Sequence, residues 1–241
     1  MSNKGSTSNF DFGITNNTIQ NVLGSLRTVD PTVTHEYMND FDDFFTDEWT
    51  ITKSLDNAQA TVSLAEEDGG ILVLTNEGGE SSDNNFIGLQ KFIRSFQFEI
   101  GIRLYFKARF KISDAIQSDL IIGLQITDTT PFSVSDGVYF QKVDGNTTLD
   151  FHVVKNSTAS TKTAIATLTT DTYITVGFVY DGDSDIKYYA GVNSREPDYV
   201  GKVAITNLPD DEVLGISIAL QNGEAIAKSM SIDYIYIAKE R

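Results

Sequence analysis

Between residues 96 and 112 apolar side chains recur at every second position. Phe96, Phe98, Ile100, Ile102, Leu104, Phe106, Ala108, Phe110 and Ile112 share one face, while Glu99, Arg103, Lys107, Arg109 and Lys111 share the other. A period of two sustained this long predicts a long or bent strand with one buried and one wet face. Shorter runs of strand texture lie at Trp49–Ser54, Ala60–Ala65, Gly70–Asn76, Leu120–Thr127, Gly137–Val143, Thr148–Val154, Thr163–Leu168, Thr172–Tyr180, Ile186–Val192, Val213–Gln221 and Ser229–Glu240. Turn formers separate them: Asp68-Gly69, Asp144-Gly145, Asp181-Gly182, Asn222-Gly223 and the Pro209-Asp210 corner. About a dozen strands and almost no helix predict an all-β fold, two antiparallel sheets stacked as a jelly-roll sandwich. Val138–Lys155 is the clearest hairpin, and neither of its faces is wholly polar. Such a pair is expected where a sheet curves or where its outer surface is covered.

Two segments depart from the simple pattern. In the closing strand Met230, Ile232, Tyr234, Tyr236 and Ala238 alternate with Ser229, Ser231, Asp233, Ile235, Ile237 and Lys239, so the second set turns apolar at Ile235. Read as one unbroken alternation, that face needs cover from a loop, an arm or another chain. The first 35 residues are rich in Ser, Thr, Asn and Gly and carry too few apolar residues for a core, although Ile19, Val22, Leu23 and Leu26 fit one short amphipathic turn. The expected organisation is an extended arm over residues 1–35 and a sandwich over residues 36–241. Ile19, Val22, Leu23, Leu26, Ile235 and Ile237 are the expected interface residues.

Charge changes the list of partners. The 34 acidic residues against 18 basic ones give a formal charge of -16, a field that repels phosphate backbones and anionic lipid. Nucleic acid and membrane surfaces are therefore not expected partners. No cysteine is present, which removes disulfide and thiolate chemistry. No apolar block resembles a signal peptide or a membrane span, so synthesis in the cytoplasm is the expectation.

Candidate chemistry is sparse. His35 and His152 lie far apart with no ligand pattern around them. Asp181, Asp183 and Asp185 alternate in a loop as calcium ligands do, but Ile186 and Val192 occupy the places where an EF-hand loop has its glycine and final acid. Calcium there, or a metal on the Asp40–Glu48 carboxylates, is the alternative to a solvated loop; otherwise no cofactor is expected. The Asp40–Glu48 stretch interleaves carboxylates with Phe41, Phe44 and Phe45, rings expected to seal the edge of the core. Tyr188, Tyr189 and Tyr199 are the candidate carbohydrate contacts, because an aromatic face can stack on a sugar ring.

The central strand, the GGILVL run from Gly69 to Leu74, the FVYDG run from Phe178 to Gly182 and the SIDYIYIA ending from Ser231 to Ala238 resemble a concanavalin-like or laminin-G-like jelly roll. Glucanases of the laminarinase kind share that fold and place E-x-D-x-x-E on one strand. The stretch that superposes here begins at Glu99, but Gly101 and Leu104 stand where the other two carboxylates belong. No catalytic activity is expected, and no catalytic residue is assigned. The arm, the Asp40–Phe45 run, the lack of cysteine and the acidic balance together resemble structural proteins of tailed bacteriophages, marine or cyanobacterial ones in particular. That resemblance implies a virion protein on the outer capsid surface, made in the host cytoplasm. It would decorate or cement the head through contacts with the major capsid protein and with copies of itself, as a homotrimer. The alternatives are a non-catalytic carbohydrate-binding module, with a glycan as partner, or a tail-associated virion protein.

Overall fold

The computed structural model describes Val22 and residues 33–241 apart from 68, 80 and 81. Among the described residues there are fifteen strands, three short 3-10 turns and no α-helix. The strands are β1 (Thr34–Asn39), β2 (Trp49–Lys53), β3 (Thr61–Ala65), β4 (Ile71–Thr75), β5 (Phe86–Lys91), β6 (Leu104–Ile112), β7 (Ser118–Gln125), β8 (Gly137–Lys142) and β9 (Thr148–Lys155), followed by β10 (Thr158–Thr167), β11 (Ile174–Tyr180), β12 (Asp185–Val192), β13 (Asp198–Ala204), β14 (Gly215–Asn222) and β15 (Ser229–Glu240). They form two antiparallel sheets. The first runs β13-β12-β11-β6-β15-β4-β3, with β1 sharing the β4 side of β15, and the second runs β10-β9-β8-β7-β14-β5-β2. This is the predicted jelly-roll sandwich.

Strand alternation builds its core. Phe106 and Phe178 from the first sheet stack at 5.1 Å, and Phe140 and Phe151 from the second lie 5.0 Å apart, with Phe151 5.7 Å from Phe178. All four rings are fully buried. Such inter-sheet aromatic contacts supply much of the apolar burial that holds a sandwich closed.

Three strands escape the sequence reading: β1, β5 and β13. In β5 Ile87 and Leu89 are fully buried, but the intervening Gly88 and Gln90 give no strand signal. The expected single strand over 96–112 is also broken. Phe96 and Phe98 are buried and keep the alternation, yet Ile100 is 81% exposed, and Gly101 adopts φ of +84° in a turn closed by Ile102 N–H donating to Glu99 O. Only glycine takes that conformation without strain. The alternation continues through the turn, so periodicity alone cannot locate it.

The closing strand corrects a second expectation. β15 pairs regularly with β6 as far as Ile232↔Phe110 and resumes at Tyr234↔Arg109, leaving Asp233 as an extra residue. This β-bulge inverts the alternation. Met230 and Ile232 point inward before it, Ile235 and Ile237 point inward after it, and all four belong to the sandwich core with no exposure. Ile235 and Ile237 are therefore not interface residues and need no cover from another chain. Tyr234, Tyr236 and Ala238 take the outer face instead. Asp233 pairs with the Arg109 guanidinium, which lies 4.0 Å over the Tyr173 ring.

On that outer face one arm residue is placed. Val22 is fully buried in a cluster with Tyr105, Val179, Tyr189 and Ala238. Its socket is Gly177, where an added Cβ would stand 2.8 Å from both Val22 Cγ2 and Phe106 O. Gly177→Ala is thus expected to cost about 1–3 kcal/mol through overpacking, measured by urea denaturation. A loss no larger in wild type than in a Val22→Ala background would contradict this seating. Ile19, Leu23 and Leu26 lie outside the described residues.

Candidate functional site

The register of the second sheet sets its outward side chains in rows across the strands. One row reads Thr161, His152, Tyr139, Gly123, Ser217, Gln90 and Thr50 from β10 to β2, and the next reads Asp150, Gln141, Ile121, Ala219, Gly88 and Thr52. Asp119, Gln221 and Phe86 begin a third. Their inward neighbours, such as Phe140, Phe151 and Ile218, are fully buried, so the opposite positions must face out.

The chain covers the middle of this face itself. The connection between β7 and β8, residues 126–136, folds back so that Val134, Ile126 and Phe132 pack on Ile121, Tyr139 and Ala219. Gln90 anchors one end, donating to Ile126 O at 3.2 Å and accepting from Asp128 N–H at 3.0 Å. Gln125 donates to Pro131 O at 3.1 Å, and Asp136 accepts Asn156 N–H at 2.9 Å. The Gln90 amide is satisfied by this loop, while Gln125 Oε1 keeps no partner among the described residues.

The β7–β9 end stays open, and its polar groups keep spare hydrogen-bonding capacity. Asp119 Oδ1 accepts Asp144 N–H at 2.9 Å and Asp150 Oδ1 accepts Ala164 N–H at 2.8 Å. These bonds fix both carboxylates while each Oδ2 makes no bond among the described residues. The Gln141 amide, directly opposite Asp150, makes none either. His152 stacks on Tyr139 at 5.3 Å and 8°, contacts Thr161 Oγ1 through Nδ1 at 3.1 Å, and leaves Nε2 without a partner. Burial lowers the His152 pKa, against the pull of Asp150, so the ring is neutral near pH 7. Burial raises the Asp119 carboxyl, partly offset by Asp144 N–H and Lys142, and it raises the Tyr139 hydroxyl to about 12. The Gln141 amide and the two fixed carboxylates are suited to bind a hydroxylated ligand, whereas His152 Nε2 is buried and Tyr139, 4% exposed, lies under the loop.

The arrangement is not that of a retaining glycosidase. Asp119 on β7 and Asp150 on β9 are separated by a whole strand, roughly 10 Å in sheet spacing, too far for a retaining pair. The outward positions of β7 are Asp119, Ile121, Gly123 and Gln125, a single carboxylate. Glu99 is elsewhere, in the turn before β6, paired with Lys239.

The candidate residues from the sequence scatter. Tyr188 faces the core and packs on Phe151 at 5.2 Å, which removes it as a sugar contact. Its neighbour Tyr189 points the opposite way and is buried beside Val22; it meets the half-exposed Tyr199 edge-on at 5.8 Å on the first sheet. Asp181 is a turn cap rather than a ligand: its Oδ1 accepts N–H bonds from Asp183, Ser184 and Asp185 at 3.0, 3.1 and 3.3 Å. Burial opposes ionisation there, but the three donors outweigh it and hold the carboxyl below its usual range. Asp185 is taken by Lys202 at 2.6 Å and Asp183 is exposed, so the loop does not gather them as calcium ligands. Among the described residues no group of three or more His, Asp or Glu is placed to hold a metal. The residues of the open face were missed because their signal was indirect: the Val138–Lys155 hairpin had two mixed faces, and its outward positions are Tyr139, Gln141, Asp150 and His152.

No protein-family profile and no curated protein matches the sequence. Solved structures do share the fold. A protein of unknown function from Shewanella oneidensis MR-1 is 18% identical, with a TM-score of 0.58 over 86% of this chain and 87% of that one. An endo-1,3-beta-glucanase from Streptomyces sioyaensis is 11% identical, with a TM-score of 0.61 over 88% and 99%. Peanut lectin is 12% identical, with a TM-score of 0.57 over 86% and 97%. At such identities the likeness establishes the concanavalin-like jelly-roll fold, which enzymes and lectins both use.

Proposed function

We propose that this protein is a non-catalytic carbohydrate-binding module whose glycan rests on the open end of the second sheet. The observation that supports this reading is the set of unspent polar groups on adjacent rows of β7, β8 and β9: Asp119 Oδ2 on one row, the Gln141 amide and Asp150 Oδ2 in register on the next. Sugar hydroxyls would complete these bonds in place of water. The likeness to lectins agrees with it at the level of fold. A glycan array followed by calorimetric titration tests the reading. Asp150→Ala is expected to weaken glycan binding about tenfold or more, in line with about 1.5–3 kcal/mol for bonds to a charged group, and Gln141→Ala about two- to tenfold, in line with about 0.5–1.5 kcal/mol for a neutral bond, without loss of fold. No saturable binding across the array, or affinity unchanged in both variants, would remove it.

A second reading is favoured by a different observation. Phe45, Phe92 and Ile93 are 60%, 68% and 68% exposed at one edge of the sandwich, as large apolar residues are at protein contacts. On this reading the chain is a phage virion protein on the outer capsid surface, held by the major capsid protein and by copies of itself. Sedimentation at tens of micromolar and binding to assembled capsids separate it from the first. A stable monomer that does not bind capsids would count against it.

A further inference from the structure

The exposed apolar edge has a cavity of its own. Tyr37 of β1, Asp47 and Glu48 of the turn before β2, and Lys91, Phe92 and Ile93 at the end of β5 enclose about 420 Å³ where the two sheets part. A narrower cavity of about 230 Å³ continues it past His35 and Phe96 and shares Tyr37, Lys91 and Ile93 with it. Two of its walls, Phe92 and Ile93, are among the most exposed large apolar side chains of the described residues. β1, which forms one side, pairs with β15.

The charges say what such a groove would hold. Its one cation among the described residues is already spent: Lys91 is paired with Glu48 and lies 4.8 Å from the Tyr37 ring centre and 5.0 Å from that of Trp49. Asp47 has no ion-pair partner among the described residues, nor have Asp42 and Asp43 on the same loop, and all three are exposed. The whole chain carries -16. An anionic ligand would meet repulsion here, and a neutral apolar one would leave the carboxylates unanswered. We propose that this groove is a docking site for a cationic, apolar-tipped segment of a partner polypeptide, which lays a Leu- or Phe-like side chain against Phe92 and Ile93 and a Lys or Arg against Asp47. The site is separate from the sheet face proposed for glycan and does not depend on it.

Fluorescence anisotropy of the full chain with a dye-labelled Lys-Leu-Lys-Leu-Lys peptide tests the proposal. Saturable binding is expected, weakening about tenfold or more in Phe92→Ala and about two- to fivefold in Asp47→Asn, and falling between 50 and 500 mM salt as exposed ion pairs are screened. Both substituted residues are exposed, so their melting curves should match wild type. The Glu-Leu-Glu-Leu-Glu and Lys-Gly-Lys-Gly-Lys peptides should bind at least tenfold more weakly, since each lacks one of the two features. Asp211→Asn, which removes one negative charge elsewhere, should leave binding unchanged. Equal binding of the acidic peptide, basic-peptide binding that survives both groove substitutions, or displacement of the peptide by a neutral oligosaccharide would each overturn the assignment.

Discussion

Asn76→Ala is expected to lower the unfolding free energy by about 3–5 kcal/mol, because it strips one side chain of three buried bonds worth roughly 1–3 kcal/mol each when their partners are left unpaired. Asn76 is 1% exposed. Its Nδ2 donates to Asn85 O at 3.1 Å and Leu220 O at 3.0 Å, and its Oδ1 accepts from Asn57 Nδ2 at 2.8 Å. Asn57 in turn donates to Phe86 O at 2.9 Å and accepts Glu77 N–H at 2.9 Å, while Asn222 donates to Glu77 O at 2.9 Å and Ser82 O at 3.1 Å. The amides tie the loops after β2 and β4 to the ends of β5 and β14, crossing from one sheet to the other. Urea denaturation with an unchanged slope would report the loss as stability alone. Asn76→Asp should be worse still, since a carboxylate oxygen would then face two carbonyl oxygens. A loss under about 1 kcal/mol for Asn76→Ala would show that water replaces the network.

The second large effect is a pH dependence. Lys142 points inward from β8 and is fully buried. Its ammonium donates to Ile116 O at 2.7 Å and to Ser118 O, closing the loop before β7. Burial lowers its pKa from 10.5 to about 8, a shift that Asp119, Asp144 and Asp114 oppose and Lys228 reinforces. Between pH 8 and 10.5 the unfolded chain therefore binds more protons at this residue than the folded one, and stability rises with pH across that window. Below pH 8 the penalty for burying the charge is present in full. The stability of wild type relative to Lys142→Met should accordingly grow by roughly 3 kcal/mol from pH 7.5 to 10.5, or about 6–12 °C in melting temperature. Taking the difference cancels the tyrosines, whose raised pKa values, about 12 for Tyr139, Tyr189 and Tyr234, make both proteins less stable above pH 10. A flat difference across the window would mean that the buried ammonium titrates as it does in water.

The fold was largely legible before any coordinates, and for a local reason. Successive side chains of a strand point to opposite faces, so Phe106 and Phe110 could be assigned to the buried face of their strand from spacing alone. The Asp-Gly and Asn-Gly turns and the acidic balance were likewise properties of neighbouring residues or of composition. The candidate site was hardly legible. Tyr188 and Tyr189 looked equivalent as exposed rings, but adjacent positions on β12 send one into the core and the other to the outer face of the first sheet. Nothing in the spacing of Asp119, Gln141, Asp150 and His152 marks them as neighbours, because three strands and two turns bring them together.

What the tertiary structure alone decided are the places where a distant partner overrides the local period. Asp233 is an extra residue in β15 facing Arg109 from β6, and the one-residue bulge turns Ile235 and Ile237 from a supposed interface into core. Gly101 breaks the longest alternation of the chain as its N–H donates to Gly182 O at 2.6 Å, across 81 positions of sequence. Val22 lies buried where Gly177 lacks a side chain, and residues 126–136 cover a sheet face that the pattern left half polar. Period and composition act between sequence neighbours. Register shifts, sockets and covered faces are set by side chains that meet only once the sheets have closed, so no window along the chain contains both partners.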